Sequence, residues 1–447
     1  MNFVYVAMKS NFEEIITQIP KIGDEMYQLM VELFPICRSI TGNGLRKTLK
    51  LLSKHISLEI HEVPTGTKVF DWTIPREWNI NDAYIKNSKG EKIVDFKKSN
   101  LHVLNYSVPV NKKISLKELK SHLFTLPEHP DAIPYRTSYY KEDWGFCLTH
   151  NQFLQLKEDQ YEVVIDSSLE NGSLTYGEYF LKGKKKDEVL FSCYSCHPSM
   201  CNDNLSGVVL LTFLAKYLVN LSLDYSYRFL FVPETIGAIA WLSKNEQKVK
   251  KIKHGLVVTC VGDPGVSSYK KSRQGNAIID QVAINVLKNF GDNYKITDFV
   301  PIGSDERQYC SPGFNLPIGS LQRTIAPDFP EYHTSADDTN FVQGLYLADT
   351  FSKYLSIIYI LENNKKYVNL NSKCEPHLAK TGLYRIIGGP RKLMINELAI
   401  LWVLNYSDGE HSLLDISNIS SMKFEQIKKA ADALVNCNLL KERNSND

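Results

Sequence analysis

Hydrophobic positions repeat at two different spacings along the chain. Residues 21–56 carry apolar side chains at helical spacing in two runs, separated by Pro35 and the turn at residues 41–44. This pattern predicts two amphipathic helices. From about residue 58 the pattern changes to short runs rich in Val, Ile, Tyr and Trp between turn residues, with a hairpin turn at residues 87–90. These runs predict a small β domain at residues 61–147, inserted after the N-terminal helices, with strands at residues 58–63, 68–74, 82–86, 93–95 and 103–108.

From residue 160 onward, predicted strands alternate with predicted helices. The first two strands, at residues 162–167 and 173–181, are expected to pair with each other. The alternation predicts a mostly parallel sheet with helices on both faces, a fold of the α/β class. Its further strands are expected at residues 187–192, 227–232, 255–261 and 316–319, and its helices at residues 205–221, 236–243, 276–290 and 340–363.

The last part of the chain predicts a winged helix at residues 375–445, after a polar linker at residues 362–366. Helices are expected at residues 395–404, from Ser412, and at 423–435, followed by a β wing at 439–442. The third helix has few basic residues for phosphate contacts, and acidic residues accompany them. We therefore expect this domain to contact protein, either the preceding domain of the chain or a second copy in a homo-oligomer, rather than nucleic acid.

Length and composition narrow the classes of function. A chain of 447 residues with 43% hydrophobic and 23% charged residues is typical of a globular protein of two or three domains. The net charge of +2 argues against a mainly electrostatic partner such as bulk nucleic acid or an anionic membrane. Charged residues interrupt the N-terminus early, and no apolar run is long enough to cross a membrane. Nine cysteines without disulfide spacing indicate reduced thiols, so we expect a cytoplasmic protein.

Polar residues follow several of the predicted strands. His197 and Asp203 come after residues 187–192, Glu234 follows the next strand, and Asp263 the one after that; His333 lies in a later polar stretch. The carboxyl ends of parallel strands meet in one crevice, so we expect these side chains to converge. Two His and several carboxylates are zinc ligands, although each carboxylate alone is more often a helix cap or a loop charge.

The cysteines near His197, at residues 193–201, suggest two other kinds of site. Cys193, Cys196 and Cys201 are candidates for a thiolate metal cluster, but no second cysteine pair follows at structural-zinc spacing. Cys196 beside His197 suggests a Cys–His nucleophile, but adjacent residues at a strand end point in different directions. We therefore favour a His and carboxylate metal site.

At this point the residues carry a resemblance to a known family. The chain resembles the M28-type zinc aminopeptidases, and more closely a subgroup described as DUF4910 and DUF2172, some members of which are labelled polysaccharide biosynthesis proteins. The resemblance implies a phosphorylase/hydrolase-like three-layer α/β/α sandwich at residues 1–60 and 148–365, with the inserted β domain and the winged helix. The stretches that carry it lie at residues 38–42, 134–140, 196–199, 202–207, 233–237, 303–307 and 330–335.

The resemblance also implies roles for the strand-end residues. His197 is similar to the first metal His, Asp203 to the carboxylate that bridges two zinc ions, and Asp263 to a carboxylate ligand of the second metal. Glu234 corresponds to the general base and His333 to the late His ligand. We expect His197, Asp203 and Asp263 to form one zinc site with an open position for water.

Two features depart from the family pattern. Thr235 stands where these peptidases usually have a second glutamate, and Thr is a poor zinc ligand. His197 and Asp203 are only six positions apart. A second zinc site, which depends on His333 and Asp203, is therefore expected to be weaker or empty.

The implied reaction is hydrolysis of an amide bond in a peptide or N-acyl small molecule, with Glu234 as general base and then acid. Tyr309, Arg307 and His333 are candidates to stabilise the oxyanion.

Polar residues after residue 302 supply the candidates for substrate binding. Asp305 and Glu306 are candidates to hold a free α-amino group, whereas Arg307 and Arg323 are equally suited to a carboxylate. Aminopeptidase, carboxypeptidase and deacylase activities therefore remain open. The alternative to a peptidase is a non-catalytic or N-deacylase relative in polysaccharide or amino-sugar biosynthesis, with the winged helix binding protein or DNA. Asp337 and Asp338 are expected to orient His333 or to cap the next helix.

Overall fold

The computed structural model describes residues 2–291, 293–325, 327–383 and 397–443. The chain divides into two compact units. The first comprises Met1–Asp280 and Asp292–Lys353, and the second comprises Gln281–Gly291 and Tyr354–Asp447. All of the residues predicted to form the functional site belong to the first unit.

An eight-stranded sheet forms the centre of the first unit. In chain order its strands are β1 (Glu59–Pro64), β2 (Ser173–Leu181), β3 (Glu188–Tyr194), β4 (Ser226–Val232), β5 (Ile252–Val258), β6 (Ser267–Lys270), β7 (Tyr294–Thr297) and β8 (Ile318–Gln322). Their spatial order is β1-β2-β4-β3-β5-β8-β6-β7, and the four central strands β4, β3, β5 and β8 run parallel. Every residue of β3 and β4 is buried, as expected for strands covered on both faces. The mostly parallel α/β sheet predicted from the sequence is therefore confirmed.

Helices connect most of these strands. The helix after β3, Gly207–Leu218, is apolar around almost its whole circumference and is buried accordingly. Among the described residues, no helix combines the length and the apolar character needed to span a bilayer. The other helices that begin in the first unit are Asn2–Leu33, Asn43–Leu52, Leu116–Lys120, His150–Leu154, Ile236–Asn245, Ile278–Phe290, Glu306–Tyr309 and Gly344–Asn363.

A separate four-stranded sheet forms the inserted β module. Its strands, in spatial order, are Lys92–Asp95, Glu77–Lys86, Gln160–Glu170 and Val110–Ser115. The turn predicted at residues 87–90 joins the first two of these strands and is confirmed. Residues 103–108 form only isolated bridges rather than the predicted strand. Two short strands elsewhere in the module, Lys68–Val69 and Trp72–Thr73, pair as a hairpin, and Leu123–Phe124 pairs with Phe146–Cys147.

The predicted pairing of residues 162–167 with 173–181 is wrong. Gln160–Glu170 lies between two strands of the inserted module, whereas Ser173–Leu181 is β2 of the main sheet. The reason is burial: Tyr161, Val163 and Ile165 alternate along the strand and pack in the core of the module. The sheet of the module therefore includes residues well beyond position 147.

The second unit contains the elements of a winged helix. Its helices Glu397–Tyr406, Leu413–Ser420 and Phe424–Asn436 accompany a sheet of Asp408–Ser412, Lys366–Asn369 and Leu440–Glu442. The predicted linker at residues 362–366 is shorter in the structure, because the helix Gly344–Asn363 ends within it and the strand Lys366–Asn369 begins at its last residue. The predicted helix start at residue 395 and the predicted domain end at 445 lie outside the described residues.

The third helix of this unit, Phe424–Asn436, has one of its basic side chains paired with an acidic one. Lys428 is buried, and its Nζ lies 2.6 Å from Asp432 Oδ1, so it does not contribute to a basic face. This pairing is consistent with the expectation of few phosphate contacts.

Candidate metal centre

A buried arginine, Arg38, holds the loop after β3 in place through a hydrogen bond to its backbone. Arg38 Nε donates to the carbonyl oxygen of His197 at 2.8 Å, and Nη1 donates to that of Leu33 at 2.8 Å. Burial lowers the pKa of Arg38 to about 10, so the guanidinium remains charged at neutral pH. The polar junction at residue 38 therefore fixes the backbone of His197.

A second buried side chain fixes the backbone around Asp203. Asp337 accepts hydrogen bonds from the backbone N–H groups of Asn202 at 2.6 Å and Asp203 at 2.8 Å. Asp337 was expected to orient His333 or cap a helix, but it shapes the loop that carries Asp203. The peptide bond between Asp203 and Asn204 is cis.

The Asp203 carboxylate has one satisfied and one unsatisfied oxygen. Its Oδ1 accepts a hydrogen bond from the hydroxyl of Tyr194, which also lies 2.7 Å from Thr259 Oγ1. Its Oδ2 is buried and receives no hydrogen bond in good geometry, although His333 Nε2 lies only 3.0 Å away. A buried carboxylate oxygen without a donor is costly, and a cation would satisfy it.

His197, Asp203 and His333 form a compact cluster. One ligand atom from each lies within 4.8 Å of the other two, which is close enough for all three side chains to hold one metal ion. His197 Nε2 lies 4.0 Å from Asp203 Oδ2. Burial lowers the pKa of His197 to about 4, so its imidazole is neutral at pH 7. Burial opposes ionisation of Asp203, but the two His residues outweigh it and lower its pKa to about 2.

These residues fit a zinc ion. Neutral imidazole and ionised carboxylate are the donors that Zn²⁺ takes, and three protein ligands leave a position open. Two tyrosines hold His333 in place: Tyr332 stacks on its ring at 3.9 Å between ring centroids, and the backbone N–H of Tyr135 donates to the His333 carbonyl at 2.7 Å.

Glu234 lies beside this cluster at the end of β4. Its Oε2 is 3.7 Å from His197 Nε2, and its side chain is 29% exposed. Burial raises the pKa of Glu234 well above its ordinary value, and the nearby Asp305 and Asp203 raise it further. The backbone N–H of Glu234 donates to Cys196 Sγ at 3.3 Å. Burial also raises the pKa of the Cys196 thiol, which argues against the Cys–His nucleophile.

Asp305 and Arg307 both form hydrogen bonds with Thr235, which directly follows the candidate general base Glu234. Asp305 Oδ1 accepts from the backbone N–H of Thr235 at 2.7 Å, and Arg307 Nη2 donates to Thr235 Oγ1 at 2.9 Å. Burial raises the pKa of Asp305 to about 7. Asp305 Oδ2 and Arg307 Nε have no hydrogen-bond partner. Glu306, in contrast, forms a buried ion pair with Lys270 at 2.6 Å.

The structure does not bring Asp263 into the cluster. Its oxygens accept hydrogen bonds from Thr324, Gly265 and Asn202, at 3.1 Å for the Asn202 amide. A carboxylate with this many donors is already satisfied without a metal ion. The cluster in the structure therefore contains His333 rather than Asp263, and it differs in this residue from the three-ligand set expected from the sequence.

Two predicted substrate-binding residues also have structural partners. Tyr309 is buried in the core, where its hydroxyl lies 2.8 Å from Ser192 Oγ, so it does not reach the cluster as an oxyanion donor. Arg323 forms an ion pair with Asp349, and its guanidinium lies 4.8 Å from the centre of the Tyr346 ring.

Sequence reasoning missed three tyrosines at this centre. The hydroxyl of Tyr194 donates to Asp203. The ring of Tyr135 contacts His197, and the ring of Tyr332 stacks on His333. The signal for Tyr194 was its place as the last residue of β3, and Tyr332 directly precedes His333.

Comparison with known proteins assigns the chain to a family. Residues 27–364, most of the chain, match the model of a family described as "Domain of unknown function (DUF4910)". The chain belongs to the DUF4910 family. Residues 365–442 match the model of a winged helix-turn-helix (HTH_47), which agrees with the elements of the second unit.

Individual relatives of this DUF4910 protein agree with that assignment. A Clostridium acetobutylicum protein, provisionally named a polysaccharide biosynthesis protein with aminopeptidase-like domain, is 60% identical over 94% of this chain and 96% of its own length. A crystal structure from the same species, provisionally called a peptidase, has a TM-score of 0.93 at 57% identity and covers 97% of this chain and 100% of its own.

A more distant structure shares the fold. A zinc aminopeptidase from Bacillus subtilis has a TM-score of 0.56 at 12% identity, over 76% of this chain and 95% of its own. The first unit therefore has an aminopeptidase-like α/β fold.

Proposed function

We propose that this DUF4910 protein is a zinc-dependent hydrolase of amide bonds in peptide or N-acyl substrates. The observation that carries the proposal is the cluster of His197, Asp203 and His333, in which the buried Asp203 Oδ2 lies 3.0 Å from His333 Nε2 but receives no hydrogen bond in good geometry. These three side chains would hold the ion. A zinc ion there supplies Lewis acidity, which polarises a carbonyl group and makes water acidic near neutral pH.

Glu234 is the proposed general base. Its carboxylate lies 3.7 Å from one proposed ligand. Burial beside Asp305 and Asp203 raises its pKa, which makes the ionised form a stronger base, and a zinc ion bound at the cluster would favour that ionised form. Glu234 would take a proton from the attacking water at a carboxylate oxygen and deliver it to the leaving nitrogen. Arg307 interacts electrostatically with Glu234 and its side chain is only partly buried, so it is the proposed group for a substrate oxygen.

Metal analysis tests the proposed ligands. Protein purified without chelator should contain about one zinc ion per chain, since three protein ligands build one site. His333→Ala should weaken zinc binding by more than about 100-fold, because even the partners of zinc ligands contribute 10–100-fold. His377→Ala is the matched control, since His377 is exposed and far along the chain from the cluster. Wild-type protein that binds no zinc after dialysis with excess zinc would contradict the proposal.

Kinetics test the proposed base separately from the metal. Glu234→Gln should keep the zinc content and lower kcat by about 10²–10⁴-fold, the usual contribution of a general base. Unchanged hydrolysis by this variant would exclude Glu234 from that role.

A substrate panel tests whether the protein acts as an aminopeptidase, a carboxypeptidase or a deacylase. The panel should contain aminoacyl amides, N-acyl amino acids and N-acyl amino sugars, because the C. acetobutylicum relative is named for polysaccharide biosynthesis as well as for an aminopeptidase-like domain. No cleavage of any of these by zinc-loaded protein would favour the non-catalytic alternative.

A further inference from the structure

A strained backbone turn directly follows the proposed general base. Thr235 has φ 63° and ψ −74°, and the N–H of Ile236 donates to the carbonyl oxygen of Glu234 at 2.7 Å. These values describe a γ-turn of the rare, strained type with positive φ. The strain is larger for threonine than for most residues, because its branched side chain crowds the backbone at positive φ. Such strain persists only where the surrounding structure holds it, and it is concentrated at functional sites.

Two side chains from one short segment hold this turn. Asp305 Oδ1 accepts from the backbone N–H of Thr235 at 2.7 Å, and Arg307 Nη2 donates to Thr235 Oγ1 at 2.9 Å. One hydrogen bond fixes the backbone of Thr235 and the other fixes its side chain. Asp305 is fully buried, so its hydrogen bond is protected from competition by water. Together the two contacts oppose relaxation of Thr235 to negative φ.

The connection that carries Glu234 has little room to absorb a change. Only three residues, 233–235, lie between the end of β4 and the helix Ile236–Asn245. The helix starts close against this connection, since a Cβ at its second residue, Gly237, would lie 2.5 Å from Pro233 Cδ. A relaxed turn at the last residue of so short a connection would therefore move the Glu234 carboxylate.

We infer that Thr235 is a positioning residue for Glu234. Its strained turn, held by Asp305 and Arg307, keeps Glu234 Oε2 at 3.7 Å from His197 Nε2, beside the proposed zinc site. The inference rests on the proposed function for the chemistry of Glu234, whereas the geometry of the turn does not depend on that chemistry. Thr235 acts through Glu234 and does not itself take part in the reaction.

Three substitutions of Thr235 separate strain from side-chain contact. Thr235→Val keeps the shape and the steric cost at positive φ but loses the hydrogen bond from Arg307, so the turn should relax. Thr235→Ser keeps the hydroxyl group and should keep the turn. Thr235→Gly loses the hydroxyl group but also removes the strain, because glycine adopts positive φ freely, and it should keep the turn as well. A threonine needed only for packing would give the reverse order, with Thr235→Val the mildest change.

Crystal structures of these variants and of wild-type protein measure the turn without any assay of activity. In Thr235→Val, residue 235 should move to negative φ and the distance from Glu234 Oε2 to His197 Nε2 should grow by about 1 Å, a displacement large enough to impair catalysis. Asp305→Ala removes the acceptor of the Thr235 N–H and should have the same effect. Asp305→Asn retains an acceptor oxygen and should leave the turn in place.

Kinetics give a second measurement with any substrate that zinc-loaded wild-type protein cleaves. Thr235→Val should lower kcat about 10–100-fold at unchanged KM and zinc content, because the base acts in the transition state and a misplacement of about 1 Å can cost this much. Thr235→Ser and Thr235→Gly should recover most of the lost kcat. Thr297→Ala, at the half-buried end of the edge strand β7, is the matched control and should leave kcat unchanged.

The outcomes separate this inference from the proposed function. If wild-type protein cleaves no substrate, the proposed hydrolase fails, but a displaced Glu234 in Thr235→Val still supports the positioning role. An unchanged turn and Glu234 position in both Thr235→Val and Asp305→Ala would overturn it. In an active enzyme, so would a wild-type kcat in Thr235→Val, or a greater loss of kcat in Thr235→Gly than in Thr235→Val.

Discussion

Asp305 offers the sharpest test of the electrostatics beside the candidate metal centre. Its carboxyl is fully buried, and burial raises its pKa from 3.8 to about 7, while Glu234 nearby is raised as well. A carboxyl group whose folded-state pKa is raised binds its proton more tightly in the folded state. The contribution of Asp305 to stability is therefore greatest below pH 3.8 and is lost as the pH rises toward 7, because the buried carboxyl group must then ionise.

The size of this effect follows from the two pKa values. The interval between 3.8 and about 7, at 1.36 kcal/mol for each pH unit, corresponds to roughly 4 kcal/mol of lost stability. Between pH 5 and pH 8 the loss is about 2–3 kcal/mol. Asp305→Asn removes the charge and retains an oxygen that can accept the Thr235 N–H. The variant should therefore gain about 2–3 kcal/mol over wild type between these pH values.

Urea unfolding at pH 5 and pH 8, with chelator present, measures this difference. Asp298→Asn is the matched control, because that aspartate is exposed and its ion pair with Lys271 contributes little. The control should change stability by less than about 0.5 kcal/mol at either pH. An Asp305→Asn variant whose advantage does not grow with pH, or that is less stable than wild type at pH 8, would refute the reasoning.

Three further predictions follow from single contacts. Arg38→Lys should lower the free energy of unfolding by about 1–3 kcal/mol and weaken zinc binding, because lysine cannot hold the His197 and Leu33 carbonyls together; chemical unfolding and competition for zinc measure both effects. Tyr309→Phe should cost about 1 kcal/mol by melting temperature and leave kcat/KM unchanged, and a large loss of activity would instead return this tyrosine to the site. All nine cysteines lie in described parts of the chain and Cys374 is the exposed one, so Ellman's reagent should find one fast-reacting thiol, whereas several would indicate an opened core.

Local patterns in the sequence were enough for the main elements. The alternation of buried strands and amphipathic helices predicted the central sheet, because each element must bury one stripe or face and its spacing shows in the sequence. His197 and Asp203 were found in the same way, since both lie in one loop directly after β3. The turn at residues 87–90 was equally local.

Which strands pair with each other, when they lie far apart in the sequence, was decided only by the tertiary structure. Only two residues separate Gln160–Glu170 from Ser173–Leu181, a spacing typical of a hairpin. The buried side chains of Gln160–Glu170 nevertheless pack in the core of the inserted module, and its backbone pairs with the strand Glu77–Lys86 of that module. Alternation of side chains shows which face is buried, but it does not show against which strand.

The same limit explains the candidate site. Strand order placed Asp263 and His333 near one edge of the sheet, but only the folded backbone decided which of them points at Asp203. Thr324 and Asn202 satisfy the Asp263 carboxylate, whereas His333 Nε2 lies 3.0 Å from Asp203 Oδ2. The sequence by itself determined the fold class and the loop of the first two ligand candidates, because both are local. The third was decided by side-chain direction and hydrogen-bond competition, which exist only once distant segments have packed.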